Sequence, residues 1–597
     1  MRKFITRYFP LIPVTVVILL SIFSHSCANT TQAPRGGKKD TIPPNIVKVS
    51  PKPGATKVPV KGAEFVFTFN EYVIVKDPKG IYLSPPQNKS PKYKIKGKSV
   101  VVYFEEELLA DLTYTLDLTG AIADNNEGNM FPGYTLAFST GEQLDSMFLT
   151  GSVYDCTNLK PIPGATVMLY RDHSDSAVFL QRPVASARTD DWGYFSIRNI
   201  SDTLYRAYAL VDANSNNLYN PDEDRIAFLD TLVRPIYVVN DTLPELRKYD
   251  MKDTLGCLSR RSDISLNVFR ERPSKQMLMN KKRTSERGSY ITFMAPDAKI
   301  DSLWFKGFAA NKVITEFNIP QDSLLLWVND SRKMPDTLHL NLRYWKTDTL
   351  GVLQPVNEEV GLVDENKPKG RQSSKQISHA DTICQIKLTV TPENFEQDGI
   401  FMDFTDPPFL GYFDSLVFRS ISPKQVEQDE KFTIERDPMN LRRYVITPKV
   451  QILDGYEYLF KVPHRTFRDI NGFWNDSTQV KVSKPKDDNL STFTLNLSGV
   501  NENYIIELLD ERKANTLRKY VIDKDCSLSF PYLKAGKYCF RITEDINRNS
   551  IVDTGILLKH KQPEKVRFLK TDDKDTFDIP ERSEIEQNVN LSQFMNE

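Results

Sequence analysis

Cysteine, histidine and tryptophan are scarce in this 597-residue sequence, which contains six, six and five of them respectively. No Cys-x-x-Cys pair occurs, and the histidines are scattered along the chain. Structural zinc sites need such ligands at close, regular spacing, so the sequence predicts no zinc centre. Whether Cys526 and Cys539 form a disulfide stays open, because two unpaired core cysteines fit the pattern equally well.

Recognisable catalytic motifs are also missing. The sequence has no Gly-x-Ser-x-Gly turn, no His-Glu-x-x-His, no phosphate-binding glycine loop and no cysteine–histidine constellation. Acidic runs such as Glu105-Glu106-Glu107 are expected on solvated faces of a chain that is 26% charged. We therefore predict that the protein is not an enzyme.

Net charge is absent as well, because 78 lysines and arginines balance 78 aspartates and glutamates. A chain-wide surface for nucleic acid or another polyanion is therefore not expected. Each of the five tryptophans lies in a strand-like or turn segment, so we expect core packing for most of them. The 36 prolines, 25 tyrosines and 34 phenylalanines favour strands and turns over long helices.

The amino terminus has the pattern of a secretory signal. Arg2, Lys3 and Arg7 precede an apolar run that ends at Phe23, too short for a comfortable membrane span. The following Ser26-Cys27 resembles a bacterial lipobox, in which the cysteine becomes the lipidated first residue. We predict a signal peptide at 1–26, lipidation at Cys27 and a tether at 27–40. The alternative is an ordinary signal peptide with an incidental cysteine.

Residues 41–145 show the period-two alternation of strands with one buried face. Phe65, Phe67 and Phe69 alternate with polar or small positions, and LTYTLDL (112–118) does the same. The segments PPNIVKVSPKPGA, FTFNEYV, LTYTLDLTGAIADNNEGN and FSTG resemble, in order, the SbsA-type bacterial Ig-like domain. They are similar in particular to a group of Bacteroidota lipoproteins. This resemblance implies an Ig-like sandwich on a lipid anchor and no catalytic activity.

Residues 146–241 predict a second sandwich. Gly151, Val153, Pro163-Gly164-Ala165 and the sequence DWGYF (191–195) resemble the carboxypeptidase regulatory-like domain, a small transthyretin-like sandwich without peptidase chemistry. We further predict a β-rich domain at 260–350, a polar linker at 364–381, a second Ig-like sandwich at 384–485 and a last sandwich at 490–580. The predicted fold is all-β, a series of Ig-like and transthyretin-like sandwiches.

One loop in the second sandwich has the side chains of a calcium site. The stretch VDANSNNLYNPDED (211–224) places five residues at EF-hand ligand positions, namely Asp212, Asn214, Asn216, Asn220 and Glu223. The flanks do not fit, because a strand precedes the loop and Pro221 stands where the second helix would begin. Two interpretations stay open: a structural calcium site, or a hairpin loop whose side chains satisfy the backbone in Asx turns.

The same pattern recurs near the carboxyl end as Asp545, Asn547, Asn549 and Asp553, with Ile556 in place of the glutamate. A strand precedes the motif in both places, which predicts an internal repeat. Calcium, if bound, would stiffen these loops.

Two functional classes follow. The first is a non-catalytic envelope scaffold on an outer-membrane anchor, with protein partners in an assembly, export or uptake complex. The second is a surface protein that binds glycan or a host ligand. The sequence favours the first, because no aromatic cluster indicates sugar binding, and it leaves open whether the protein faces the periplasm or the cell surface.

Overall fold

The computed structural model describes residues 40–236, 264–363, 382–486, 489–571 and 574–596. The predicted signal peptide, Cys27, the predicted linker at 364–381 and the predicted tether before residue 40 lie outside these residues. The predicted all-β fold is confirmed. In the described residues, the α-helices are three single turns, namely α1 (Ala177–Leu180), α2 (Phe395–Asp398) and α3 (Leu591–Phe594). Short 3-10 turns occur at Pro78–Gly80, Ala310–Lys312, Pro392–Asn394, Phe413–Ser415 and Leu557–Lys559.

The described residues divide into two compact units, one ending at Ser146 and the other beginning at Met147. No helix in the described part of the chain has the length and apolar character that crossing a membrane requires.

The first unit is a single sandwich whose core contains Phe65, Phe67 and Phe69, as the alternation predicted. Its sheets have the orders β1-β2-β6-β5 and β4-β7-β9, with a separate ribbon of β3 and β8. If β3 and β8 are left out and the other strands are lettered A to G in chain order, the two sheets are A-B-E-D and C-F-G, as in the immunoglobulin fold. The strands are β1 (Ile46–Ser50), β2 (Glu64–Phe69), β3 (Val73–Val75), β4 (Tyr82–Ser84), β5 (Lys92–Lys96), β6 (Ser99–Tyr103), β7 (Thr113–Asp117), β8 (Ile122–Asp124) and β9 (Thr135–Ser139).

The second sandwich begins the second unit. Its strands are β10 (Met147–Asp155), β11 (Thr166–Tyr170), β12 (Ala185–Arg188), β13 (Tyr194–Ile200), β14 (Arg206–Val211), β15 (Arg225–Phe228) and β16 (Ile264–Val268). They form the sheets β13-β10-β16 and β12-β11-β14-β15, in which β16 runs parallel to β10. The predicted domain at 260–350 therefore differs from the structure at its start, because Leu266 and Val268 of β16 are buried in the core of this sandwich.

The third sandwich again has the immunoglobulin order, with sheets β17-β18-β21-β20 and β19-β22-β23. Its last hairpin reaches Val363, beyond the predicted end at residue 350, because β22 and β23 stay paired over their full length. The strands are β17 (Leu278–Arg283), β18 (Gly288–Phe293), β19 (Ile300–Phe305), β20 (Val313–Phe317), β21 (Ser323–Val328), β22 (Thr337–Thr347) and β23 (Leu353–Val363).

The fourth sandwich has the strand order of the first, with β28 added at the edge of one sheet. Its sheets are β24-β25-β30-β29 and β28-β27-β31-β33, with a ribbon of β26 and β32. The strands are β24 (Ile386–Thr389), β25 (Ile400–Phe404), β26 (Pro408–Gly411), β27 (Val417–Ile421), β28 (Glu427–Asp429), β29 (Phe432–Arg436), β30 (Arg443–Pro448), β31 (Glu457–Val462), β32 (Phe467–Asp469) and β33 (Thr478–Ser483).

A shared side-chain contact supports this correspondence. The Tyr114 hydroxyl accepts a hydrogen bond from the Leu109 amide at 2.8 Å, and the Tyr458 hydroxyl accepts one from the Leu453 amide at 2.8 Å. Both tyrosines lie on the strand next to the last one of their sheet, the position of the tyrosine corner in immunoglobulin-like sandwiches. The first and fourth sandwiches therefore share the same tyrosine hydrogen bond at the equivalent position of the fold.

The fifth sandwich repeats the second. Its sheets are β37-β34-β41, with β41 parallel to β34, and β36-β35-β38-β39, with β40 also paired to β38. The strands are β34 (Ser491–Ser498), β35 (Tyr504–Asp510), β36 (Thr516–Ile522), β37 (Cys526–Leu533), β38 (Gly536–Glu544), β39 (Val566–Phe568), β40 (Phe577–Ile579) and β41 (Glu584–Asn590). In both sandwiches the asparagine-rich loop connects equivalent strands, β14 to β15 and β38 to β39, so the predicted internal repeat is present.

Candidate functional site

The first asparagine loop is organised by its own side chains. The Asp212 carboxylate accepts hydrogen bonds from the Ser215 amide at 2.6 Å and from the Asn217 amide at 2.8 Å. Asn214 and Asn216 each accept one from the amide two residues later, at 3.0 and 2.7 Å. Ser215 and Asn217 adopt positive φ, 61° and 58°. This is the Asx-turn arrangement that the sequence left as one of two interpretations.

The second loop has the same local geometry. Asp545 accepts hydrogen bonds from the Asn549 amide at 3.0 Å and from the Ser550 amide at 2.8 Å. Asn549 accepts one from the Ile551 amide at 2.9 Å. Positive φ occurs at Arg548 and Ser550, the positions equivalent to Ser215 and Asn217. The repeat therefore extends to backbone conformation.

Two buried carboxylates that the sequence analysis missed close these loops. Asp224, with 0% exposure, accepts hydrogen bonds from the amides of Ala213 at 2.9 Å and Asn220 at 2.8 Å. Glu564, with 4% exposure, accepts them from the equivalent amides of Ile546 at 3.1 Å and Asp553 at 2.9 Å. Burial raises the pKa of Glu564. Asp224 and Glu564 lie at different distances along the chain from the first aspartate of their loops. Aligning the two motifs in sequence therefore could not identify them as equivalent.

The predicted ligand side chains lie together in each loop, but they already form hydrogen bonds with one another and with backbone amides. In the second loop, Asp553 accepts hydrogen bonds from the side-chain amides of Asn547 and Asn549, the latter at 3.1 Å. The Arg272 guanidinium lies 2.9 Å from the other Asp553 oxygen. Amide nitrogens and a cation thus face the carboxylate where calcium would need oxygens, and this arrangement favours the Asx-turn interpretation.

In the first loop, the Glu223 carboxylate is reached by the Asn214 amide nitrogen at 3.4 Å. No group of three or more His, Cys, Asp or Glu side chains able to hold a metal ion occurs within the described ranges. That search does not count asparagine ligands, so calcium at the first loop stays a prediction.

A short segment joins both loops. Arg270 donates a hydrogen bond to the Glu223 carbonyl at 2.9 Å, and Arg272 pairs with Asp553. Between them, Glu271 accepts a hydrogen bond from the Leu557 amide. Burial and the nearby Glu271 carboxylate raise the pKa of Tyr219 in the first loop. The segment that follows β16 therefore connects the second sandwich to the fifth.

Further polar contacts join the second and fifth sandwiches. Arg541 donates to the Thr157 carbonyl at 3.1 Å and forms an ion pair of 2.7 Å with the buried Glu507. His560 lies 2.9 Å from the Asp175 carboxylate. Gln562 donates to the Asp230 carboxylate at 3.0 Å. These partners are distant in sequence, so the carboxyl-terminal sandwich packs back onto the beginning of the second unit.

The remaining neighbours in the second unit are joined in the same way. Between the third and fourth sandwiches, Asp406 accepts hydrogen bonds from the Trp327 indole at 2.8 Å and from the Asn471 amide at 2.7 Å. Between the fourth and fifth, Gln397 donates to the Ser529 carbonyl at 3.0 Å and accepts from the Tyr520 hydroxyl at 2.6 Å. The contacts therefore link the third sandwich to the fourth, the fourth to the fifth, and the fifth back to the second.

Asp469, at the end of β32 in the fourth sandwich, has an unusual pKa. Burial raises the pKa of Asp469 to about 6. A hydrogen bond from the Phe473 amide acts in the opposite direction, and the nearby Asp406 carboxylate acts in the same direction as burial. Asp124 occupies the equivalent position in the first sandwich. Burial raises its pKa too, but amides of Gly128, Glu127 and their neighbours outweigh that effect and lower it.

Asp469→Asn is expected to stabilise the protein in a pH-dependent way. The folded state binds the Asp469 proton more tightly than the unfolded chain, so the free energy of unfolding falls as pH rises from about 4 to about 6 and stays lowered above that. The amide removes this penalty, which corresponds to about 3 kcal/mol at pH 7.5 and little at pH 4. Thermal unfolding of both proteins at several pH values measures the effect. A difference independent of pH would contradict the assignment.

The described cysteines, Cys156, Cys384, Cys526 and Cys539, are all free, so Cys526 and Cys539 are not bonded to each other. Burial raises the pKa of Cys156 and of Cys384 to about 12. A thiol must lose its proton to act as a nucleophile, and these two are therefore packing residues.

The expectation that most tryptophans pack in the core is wrong, because Trp327 is the one buried tryptophan of the five, and Trp345 and Trp474 are half-buried. Trp327 is 2% exposed, whereas Trp192 is 68% and Trp304 is 42% exposed.

Comparison with known proteins locates the similarity at the amino-terminal sandwich. Residues 40–140 match the family described as bacterial Ig-like domain. This agrees with the Ig-like sandwich predicted at 41–145. A search of curated protein sequences finds no match.

The solved structures that match this chain include the following three proteins. The S-layer protein rSbsC is 11% identical with a TM-score of 0.13, and the match covers 84% of this chain and 53% of that one. The pilin BcpA of Bacillus cereus is 10% identical (TM-score 0.12; 75% of this chain, 99% of that one). The Bacteroides ovatus protein SGBP-B, in complex with a mixed-linkage heptasaccharide, is 9% identical (TM-score 0.16; 66% and 88%). This chain thus spans about half the length of the S-layer chain, and scores this low carry no argument about function.

Proposed function

We propose that this protein is a non-catalytic lipoprotein of the cell envelope that acts as a scaffold or accessory subunit of an outer-membrane complex for assembly, export or uptake. The observation that carries the proposal is the return of the fifth sandwich onto the second, with Arg541 and Arg272 at the contact. A unit closed in this way keeps its surfaces at fixed positions. Fixed surfaces serve a scaffold, which must present several binding sites to a larger assembly at once.

The proposal includes the domain types and the anchor. The parallel pairing of the first and last strands in the second and fifth sandwiches supports carboxypeptidase regulatory-like, transthyretin-like domains. The Ig-like match at 40–140 supports the likeness to lipoproteins of Bacteroidota. Lipidation of Cys27 would place the chain on the outer membrane, since two acyl chains hold a protein firmly.

Cys27→Ala is expected to release the protein from the membrane fraction. The lipid is the predicted link, and each buried methylene contributes about 0.8 kcal/mol to the anchoring free energy. Fractionation followed by a high-salt wash measures the distribution, with Ser24→Ala as the matched control in the same signal region. A Cys27→Ala protein that stays in the washed membranes would show that the anchor is elsewhere.

The scaffold function is tested by affinity purification from gently solubilised outer membranes. We expect identified protein partners in stoichiometric amounts with the wild-type chain and their loss with the soluble Cys27→Ala variant. A monomer without partners would contradict the scaffold.

A surface protein that binds glycan or a host ligand is the second candidate, and the exposed rings of Trp192 and Trp304 favour it. Planar aromatic rings at a surface can stack against the apolar face of a sugar. Calcium at the first asparagine loop would be a structural ion in either case.

A further inference from the structure

The ribbon of β26 and β32 in the fourth sandwich presents a row of side chains on one face. Leu410 pairs with Arg468, and Arg468 pairs in turn with Trp474. Cross-strand partners project to the same side of a sheet. Tyr412, two positions after Leu410, joins them on that side. We call these four residues the aromatic ribbon face.

The aromatic ribbon face is partly open to solvent, because Leu410, Tyr412 and Arg468 are exposed whereas Trp474 is half-buried. The rings of Tyr412 and Trp474 lie 6.2 Å apart with an angle of 6° between their planes. The Arg468 guanidinium lies 5.9 Å from the Trp474 ring. Tyr412 is 52% exposed, and Phe409, at the irregularity in the β26 register, is 63% exposed. Bulges often re-aim side chains at binding sites.

The first sandwich shows that this fold does not need these side chains. Apart from the extra residue at Phe409, its ribbon has the same register, with Ile74 paired to Ala123 and Ala123 paired to Met130. The amide of Lys76 donates to the Ala121 carbonyl at 2.8 Å, as the Tyr412 amide donates to the Thr466 carbonyl at 2.9 Å. Lys76, Ala123 and Met130 therefore stand where the fourth sandwich has Tyr412, Arg468 and Trp474.

We propose that the aromatic ribbon face is the docking surface for a protein partner with an apolar patch and an acidic rim. This inference rests on the proposed scaffold function and locates one of its contacts. Tyrosine, tryptophan and arginine are the residues that dominate binding energy at protein interfaces. The exposed Arg468 on this face and the exposed Arg465, three residues before it in sequence, carry positive charge, which calls for a negative partner.

Protein rather than carbohydrate fits the apolar surroundings. Phe409, Phe413 and Leu410 add exposed side chains without polar atoms. Sugar sites combine an aromatic ring with several convergent hydrogen-bonding groups, whereas Arg468 already donates to the Gly472 carbonyl at 3.0 Å.

The first sandwich supplies the test. The variant Tyr412→Lys, Arg468→Ala, Trp474→Met introduces the residues of the equivalent ribbon, so the fold should be kept, and circular dichroism and thermal unfolding check this. The matched control is Lys76→Ala with Met130→Ala. After purification from solubilised outer membranes, we expect recovery of the identified stoichiometric partner to fall about tenfold or more with the triple variant, since loss of hot-spot residues weakens binding on this scale. The control should keep the partner.

Photo-crosslinking of the full chain separates the outcomes. A crosslinking amino acid at Tyr412 should give one discrete adduct with that same partner, and one at Lys76 should not. If the wild type and the triple variant retain the partner equally, the docking surface is wrong while the scaffold stands. If no partner is recovered with any form, both fail. Retardation of the wild type, but not of the triple variant, in native gels that contain soluble β-glucan would overturn the protein partner in favour of a glycan.

Discussion

Arg541→Ala is expected to destabilise the fifth sandwich by about 3 to 5 kcal/mol, because it leaves a buried carboxylate without its partner. Glu507 is 6% exposed and pairs with Arg541 at 2.7 Å. The same guanidinium donates to the Thr157 carbonyl in the second sandwich. The variant should therefore weaken both the sandwich and its contact. Hydrogen exchange of β35 and β38 amides in the full chain measures the loss.

Two matched variants separate the buried charge from a general surface effect. Lys537 and Glu511 form an exposed ion pair of 3.4 Å on the same sandwich. Lys537→Ala should change stability by no more than about 0.5 kcal/mol. Glu507→Gln added to Arg541→Ala should recover part of the loss, because the amide is neutral. Similar exchange rates in Arg541→Ala and Lys537→Ala would contradict the role given to this pair.

Asp224→Ala is expected to cost about 3 kcal/mol locally, because it removes a buried charged acceptor from two backbone amides. The amides of Ala213 and Asn220 should then exchange much faster with solvent. Hydrogen exchange resolved to the loop measures this. The effect should be independent of calcium, since it depends on the loop's own hydrogen bonds.

Glu223→Ala is the control for Asp224→Ala, and it distinguishes the two interpretations of the loop. In the Asx-turn interpretation, Glu223→Ala changes little, because the Glu223 side chain has a single long contact with Asn214 at 3.4 Å. In the calcium interpretation, Glu223 is the last ligand. Thermal stability would then rise in millimolar calcium and lose that rise in both Glu223→Ala and Asp212→Ala. That second pattern would contradict the Asx-turn account.

The strands and the repeat could be predicted from the sequence because their signals are local. The burial of Phe65, Phe67 and Phe69 follows directly from period-two alternation. The D-x-N-x-N motif identified two equivalent loops, and the structure gives both the same backbone turns.

What could not be predicted depends on contacts between distant residues. The EF-hand register assigned the closing role to Glu223, whereas the buried carboxylate is its neighbour Asp224. The spacing of the motif did not indicate Glu564, because Glu564 lies farther along the chain from Asp545 than Asp224 lies from Asp212. Strand β16 was placed in the wrong sandwich because its parallel pairing with β10 skips a long stretch of chain. The aromatic ribbon face was missed because Tyr412 and Trp474 meet only through the fold.

The central claim is that the described residues from Met147 onward form one unit in which the fifth sandwich packs onto the second. Cleavage within the predicted 364–381 linker tests this claim most directly. A specific protease site inserted there divides the chain between the third and fourth sandwiches. The account predicts that the two fragments elute together at the size of the intact protein under native conditions and separate only in denaturant, and that Arg541→Ala weakens this association. Fragments of the wild-type protein that separate at once under native conditions would show that the sandwiches are independent, and the account would be wrong.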